Sequence, residues 1–266
     1  MIETIEVRAD DGAATGARMC GSSDAALIFV HGVGSTAAIW DEQLAHFSDR
    51  YRCVAIELRG NGVPKPEPDP SQITRAGYAR DVLAVTGALG IGRFTIVGCS
   101  LGGVVAFELW KTAPKLIEAM VIVGSFAVYP NARTYADGIK AAVRDAGTME
   151  SFARARAAKM GLPPARTRET IEQMACKNVD SYLAATEATW TGDYVDVLPT
   201  IDVPVFVTCG ERDTIAPLAL SQQIASSIPG ARLAVLEDAG HVANADNPAA
   251  FDRVLDSFVS EAVPVR

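Results

Sequence analysis

The chain has 266 residues, 49% of them hydrophobic and 21% charged, with a formal net charge of −8. That much apolar material can bury a substantial core without disulfide or metal staples. The scattered acidic balance argues against a nucleic-acid partner, which needs a basic patch. No apolar stretch approaches the ~20 residues that span a bilayer, so no membrane association is expected.

Met1 to Val7 alternates like a strand, carries acids and lacks the basic and apolar segments of a secretory leader. The five cysteines, Cys20, Cys53, Cys99, Cys176 and Cys209, contain no C-x-x-C pair. Reduced thiols in a cytoplasmic protein are the expectation.

In chain order, strands near residues 2–8 and 16–20 flank Asp11-Gly12 and read as an edge hairpin. Apolar runs follow at Ala26–Val30, Cys53–Ile56, Phe94–Val97, Ala119–Val123, Val205–Thr208 and Leu233–Leu236. Continuous rather than alternating runs indicate parallel strands covered on both faces. Amphipathic helices lie between them. One stripe is Ile39, Trp40, Leu44 and Phe47; a second is Tyr78, Val82, Val85 and Leu89, with Thr74 as N-cap. The last helix opens at Asn247-Pro248 and carries Phe251, Val254, Leu255 and Phe258. Alternating strand and helix predicts a doubly wound α/β sheet of about eight strands.

Residues 129–198 break the rhythm. Segments near 136–145, 149–160, 166–177 and 180–190 read as helices, with a break at Gly161-Leu162-Pro163-Pro164. This predicts a core of residues 1–128 and 199–266 with a helical cap inserted at 129–198. The proline-rich run from Pro64 to Pro70 reads as a stiff surface connection.

The chemistry centres on Gly98-Cys99-Ser100-Leu101-Gly102-Gly103. This G-x-S-x-G segment joins a strand-like run to a helix-like one, the context that raises a serine hydroxyl above a sheet edge. Serine needs a base, and the chain has three histidines: His31, His46 and His241. His46 sits among acids on an amphipathic helix and reads as solvated. His241 lies in a loop just past the last strand, where ligand crevices of open sheets form. It is the preferred base. Asp213, past the strand Val205–Thr208, is the preferred acid to orient the imidazole, with Glu211 and Asp238 as rivals. The order serine, acid, histidine is that of the α/β-hydrolase class. Oxyanion donors are expected from the backbone N–H groups of Val33, in His31-Gly32-Val33-Gly34-Ser35, and of Leu101.

The chain resembles α/β-hydrolase fold proteins over nearly its whole length. The matching pieces are Val30 to Ser35 with Trp40, Leu58-Arg59-Gly60-Asn61-Gly62, Gly98 to Gly103, Gly210 to Asp213, and Gly240-His241 followed by Asn247-Pro248. The helical insert and Gly240 to Asn244 most resemble the 3-oxoadipate enol-lactonase-like serine hydrolases. Members usually carry aspartate where Glu57 stands and histidine where Asn61 stands. The related carbon–carbon bond hydrolases usually have asparagine in place of Cys99 and an aromatic in place of Val242, which counts against that branch.

The resulting expectation is an esterase or lactonase for a small-molecule substrate, without cofactor or metal, as a monomer or homodimer. A carbon–carbon hydrolase and a non-catalytic binding protein of the same fold are the alternatives. Phe126, Trp190, Tyr182 and Phe152 are the candidate substrate-binding residues, with Tyr194 a further lining candidate.

Overall fold

Arg8 and Ala14 close a short turn at Asp11-Gly12, joining β1 (Glu3–Arg8) to β2 (Ala14–Cys20) as an antiparallel hairpin. The computed structural model describes residues 1–61, 66–158 and 164–263. The remaining strands are β3 (Ala26–Val30), β4 (Arg52–Glu57), β5 (Phe94–Cys99), β6 (Ile117–Val123), β7 (Val205–Gly210) and β8 (Arg232–Leu236). They form one 8-stranded sheet in the order β1-β2-β4-β3-β5-β6-β7-β8. β2 meets β4 antiparallel, and every later pairing is parallel. Because the parallel strands run one way, the loops that follow them gather at one end of the sheet.

The helices in order are α1 (Asp41–Phe47), α2 (Arg75–Ala88), α3 (Leu101–Thr112), α4 (Ala132–Ala146) and α5 (Met149–Ala157). They continue with α6 (Pro164–Ala175), α7 (Val179–Trp190), α8 (Leu218–Ser227), α9 (Ala243–Asp246) and α10 (Pro248–Ala262). Successive residues of β3 serve opposite layers, as the period of a strand requires. Ile28 and Val30 pack with Tyr78, Val82 and Val85 of α2 and Val104 and Phe107 of α3. Leu27 and Phe29 pack with Trp40, Leu44 and Phe47 on one side of the chain and Phe251, Leu255 and Phe258 of α10 on the other. Two caps act as the sequence suggests: Thr74 accepts from the Gly77 N–H, and Asn247 from the Ala250 N–H. β8 departs from the expectation of burial on both faces. As the sheet's edge strand it leaves Leu233 and Val235 exposed.

Helices α4 to α7 all fall between β6 and β7, and a Val128–Asp193 bridge closes the neck of that excursion. Of the expected break at 161–164, residues 161–163 lie outside the described residues, as does part of the proline-rich loop, and Pro164 opens α6. No helix among the described residues is long and apolar enough to cross a membrane.

A buried ionic network fixes the loop after β4. The fully buried Arg59 guanidinium lies 2.8 Å from the equally buried Asp81 carboxylate. The same carboxylate accepts the Arg59 backbone N–H at 2.9 Å, and Asp11 pairs with the far side of the guanidinium. Removing Asp81 leaves the buried Arg59 guanidinium with Asp11 alone and the Arg59 N–H without its acceptor, which costs more than a surface pair contributes. Asp81→Ala should therefore destabilise the chain by roughly 3–5 kcal/mol in urea denaturation. A loss below about 1 kcal/mol would place this pair with exposed ones.

Candidate active site

Ser100 occupies the turn between β5 and α3 with φ 54° and ψ −113°, a left-handed conformation that non-glycine residues seldom adopt. Two glycines make the turn possible. A Cβ at Gly98 would sit 2.3 Å from the Gly102 carbonyl carbon, and one at Gly102 only 2.1 Å from the Val30 oxygen. The conformation is tied down by the Ser100 N–H donating to the Val123 carbonyl at 2.9 Å. The Ser125 hydroxyl donates to the Ser100 carbonyl at 2.7 Å.

Three loops at the carboxyl end of the sheet bring the reactive groups together. His241 Nε2 lies 3.0 Å from Ser100 Oγ. His241 Nδ1 lies 2.9 Å from Asp213 Oδ2 and 3.1 Å from Oδ1. The Asp213 side chain is wholly buried, and Oδ1 also accepts the Ile215 and Ala216 N–H groups, each at 2.9 Å. An ionised carboxylate only accepts. The imidazole proton therefore belongs on Nδ1, which leaves Nε2 free to take the proton of Ser100 Oγ. The rival acids stand apart. Glu211 is exposed and accepts the Asp238 N–H, while Asp238, also exposed, pairs with Arg212.

The loop after β3 passes directly over the serine: a Cβ at Gly32 would sit 3.2 Å from Ser100 Cβ. Val33 follows and lines the same cavity. Leu101 opens α3, where its N–H has no carbonyl four residues back to bind. His31 is a buried brace of this loop rather than a second base. Its Nε2 accepts the Leu58 N–H at 3.2 Å, so Nδ1 carries the proton and donates to the Gly32 carbonyl at 2.8 Å. His46, with its side chain 46% exposed, lies 3.8 Å from Asp252 and away from the cavity lining.

The loop carrying His241 has its own anchor. Asp246 Oδ2 accepts the Gly240 N–H at 3.0 Å. Burial pushes this carboxyl above the usual range, and the Gly240 hydrogen bond opposes that shift. Cys99, beside the serine, is raised by burial to a value that keeps it a neutral thiol.

The cavity above Ser100 has an apolar wall that includes Ile39, Met174, Trp190, Ile215 and Val242. Its polar ceiling comes from two of the helices between β6 and β7: Arg156 of α5, and Arg166, Thr170 and Gln173 of α6. Of the four expected substrate-binding aromatics, only Trp190 is on the wall. Phe126 is fully buried behind it, stacked at 5.1 Å and 13°. Phe152 and Tyr182 turn toward each other at 5.4 Å, where Tyr182 backs Gly34. Tyr194 is also off the wall, its hydroxyl donating to Glu108 at 2.7 Å. Each of these rings packs against another aromatic side chain and lies off the lining of this cavity.

Sequence reasoning missed the arginines. Arg166 is paired with Glu169. Arg156 is half-buried, and its side chain has no hydrogen-bond or ion-pair partner among the described residues. A signal existed: Arg156 falls four residues after Phe152 on the buried stripe of α5 that includes Met149, Ala153 and Ala157. A charge on an apolar stripe needs a reason.

The chain belongs to the alpha/beta hydrolase fold family, whose sequence profile matches residues 25–248. It is 26% identical over 240 residues to 3-oxoadipate enol-lactonase 2 of Acinetobacter baylyi, covering 88% of each chain. Among solved structures, a hydrolase from Pseudomonas aeruginosa PA01 superposes with a TM-score of 0.87 at 29% identity, over 97% of this chain and 98% of that one. The enol-lactonase from Burkholderia xenovorans LB400 has the same fold, with a TM-score of 0.87 at 23% identity, over 96% of this chain and 100% of that one.

Proposed function

We propose that this chain is a serine hydrolase that cleaves a carboxylic ester or lactone of a small molecule through an acyl-enzyme. The observation that carries the reading is the hydrogen-bonded line from Ser100 through His241 to the buried Asp213, set on a strained turn between strand and helix. The relatives named enol-lactonase support the ester or lactone class.

In this mechanism Ser100 Oγ attacks the carbonyl carbon as His241 Nε2 takes its proton. Asp213 holds the imidazole in the required tautomer and stabilises the imidazolium that forms. The Val33 and Leu101 N–H groups receive the oxyanion, with the N-terminal dipole of α3 adding to its stabilisation. Collapse expels the alcohol, or opens the ring of a lactone, with His241 returning the proton. Water activated by the same imidazole then attacks the acyl-enzyme and frees the acid and Ser100. No step calls on a metal or cofactor. The segment 129–198 acts as a cap that selects the substrate, and Trp190 and Arg156 are among its contacts in the cavity.

Arg156 directs the reading toward an anionic substrate. The lining holds two arginines and no carboxylate, in a chain whose formal net charge is −8. A substrate carboxylate would give the Arg156 guanidinium the partner that the protein does not.

Ser100→Ala should lower p-nitrophenyl ester turnover by about 10⁴-fold or more in a folded protein, and Asp213→Asn by roughly 10²–10⁴-fold. Retained turnover in Ser100→Ala, or a larger loss from Glu211→Gln or Asp238→Asn than from Asp213→Asn, would contradict the assignment.

The mono-p-nitrophenyl ester of glutaric acid and p-nitrophenyl valerate differ chiefly in a terminal charge. Arg156→Gln should lower the ratio of their kcat/KM values by roughly ten- to a hundredfold, since a hydrogen bond to a charged group contributes about 1.5–3 kcal/mol. An unchanged ratio would remove Arg156 from substrate recognition.

A further inference from the structure

The oxyanion loop is braced from two directions, and only one of them belongs to the α/β core. On the core side, the Gly32 carbonyl accepts from His31 Nδ1 at 2.8 Å, and within the loop the same carbonyl accepts the Ser35 N–H at 3.2 Å. Glu57 accepts the Ala37 N–H at 2.9 Å. On the other side the braces come from α6, the residues just after it and α7. Lys177 is 5% exposed, and its ammonium donates to the Ser35 carbonyl at 2.9 Å and to the Asn61 carbonyl. The Ser35 hydroxyl donates to Gln173 Oε1 at 3.1 Å. Met174 and Tyr182 close on Gly34, where an added Cβ would meet them at 3.2 and 3.3 Å.

Val33 thus lies between two fixed points, Gly32 held by the core and Ser35 held by the cap. The Val33 N–H shares its peptide plane with the Gly32 carbonyl, and the Ser35 N–H that donates to this carbonyl ties the plane to Ser35, so both anchors bear on its direction. A buried ammonium is costly unless satisfied, so Lys177 has a strong preference for the arrangement that supplies these carbonyls.

We propose that Lys177 and Gln173 are positioning residues for the oxyanion site: through Ser35 they hold the Val33 N–H on Ser100, so acyl transfer is fast only while α6 is seated. The proposal rests on the serine-hydrolase reading. It gives the cap a part in the chemistry as well as in substrate choice. In this arrangement one segment holds Arg166, Thr170 and Gln173 over the cavity and braces the oxyanion loop, so substrate contacts and the oxyanion donor share a single support.

The test measures kcat, KM and boronate affinity in Lys177→Met, Lys177→Arg and Gln173→Ala. A phenylethyl boronic acid adds to the serine oxygen and places an anionic oxygen where the oxyanion forms. Losing an oxyanion donor outright costs about 10²–10³-fold in kcat, and misaiming one costs less. In Lys177→Met, kcat for p-nitrophenyl butyrate should fall about 10- to 100-fold and boronate affinity by a similar factor, with KM moving less than about threefold. Lys177→Arg, which can still donate to a carbonyl, should recover most of both. Gln173→Ala removes the weaker tie and should lower kcat and boronate affinity by about three- to tenfold.

A folded Lys177→Met with kcat and boronate affinity within about twofold of wild type would overturn the proposal, as would a loss confined to KM. Should Lys177→Met fail to fold, Gln173→Ala decides by the same criteria. A wild-type protein that neither turns over esters nor binds the boronate would overturn the serine reading itself, and the positioning role with it.

Discussion

The backbone at Ser100 constrains everything around it. A serine held at φ 54° gives up roughly 1–3 kcal/mol of local conformational energy, which the surroundings must offset. They do so through contacts that leave no room for other residues at Gly98 and Gly102, and through hydrogen bonds from Ser100 to Val123 and from Ser125 back to Ser100. Those partners lie on β6 or just beyond it, so the parallel pairing of β5 with β6 is what holds Ser100 in place. The same strain lifts Oγ toward the loops after β7 and β8.

Burial of charge is handled differently in the core and at the reactive centre. Arg59 and Asp81 neutralise each other and fix the loop after β4. Among the described residues, no lysine or arginine pairs with Asp213. Its charge is met by two backbone N–H groups and by His241. That arrangement leaves the carboxylate free to stabilise an imidazolium when one forms. A lysine or arginine pressed against Asp213 would weaken this effect. The cavity ceiling shows a third pattern, with Arg166 paired to Glu169 and Arg156 left open to the cavity.

The parts of this architecture that the sequence announces are local. The strand cores, the turn around Ser100, and the placement of Asp213 and His241 after β7 and β8 each follow from a few adjacent residues. Choosing Asp213 over Glu211 and Asp238 is harder from sequence, because all three occupy the right loops. Burial separates them, and burial depends on how β7 and β8 lie together. The cavity wall was less legible. Phe126, Tyr182 and Phe152 have the composition of ligand contacts, yet packing among the aromatics turns them away from the cavity. Ile39, Ile215 and Val242 reach the wall from three different loops with no shared pattern. Lys177 looks like any surface lysine until the fold places two carbonyls around its ammonium. Arg156 alone left a trace, as a charge on an apolar stripe.

The central claim is that Ser100 is a nucleophile activated by His241, and covalent trapping tests it most directly. The intact protein treated with a fluorophosphonate should gain the mass of one phosphonyl group. Peptide mapping should locate that group on Ser100, and His241→Ala should react far more slowly. No adduct on a folded protein, an adduct on another residue, or labelling of His241→Ala at the wild-type rate would contradict the account.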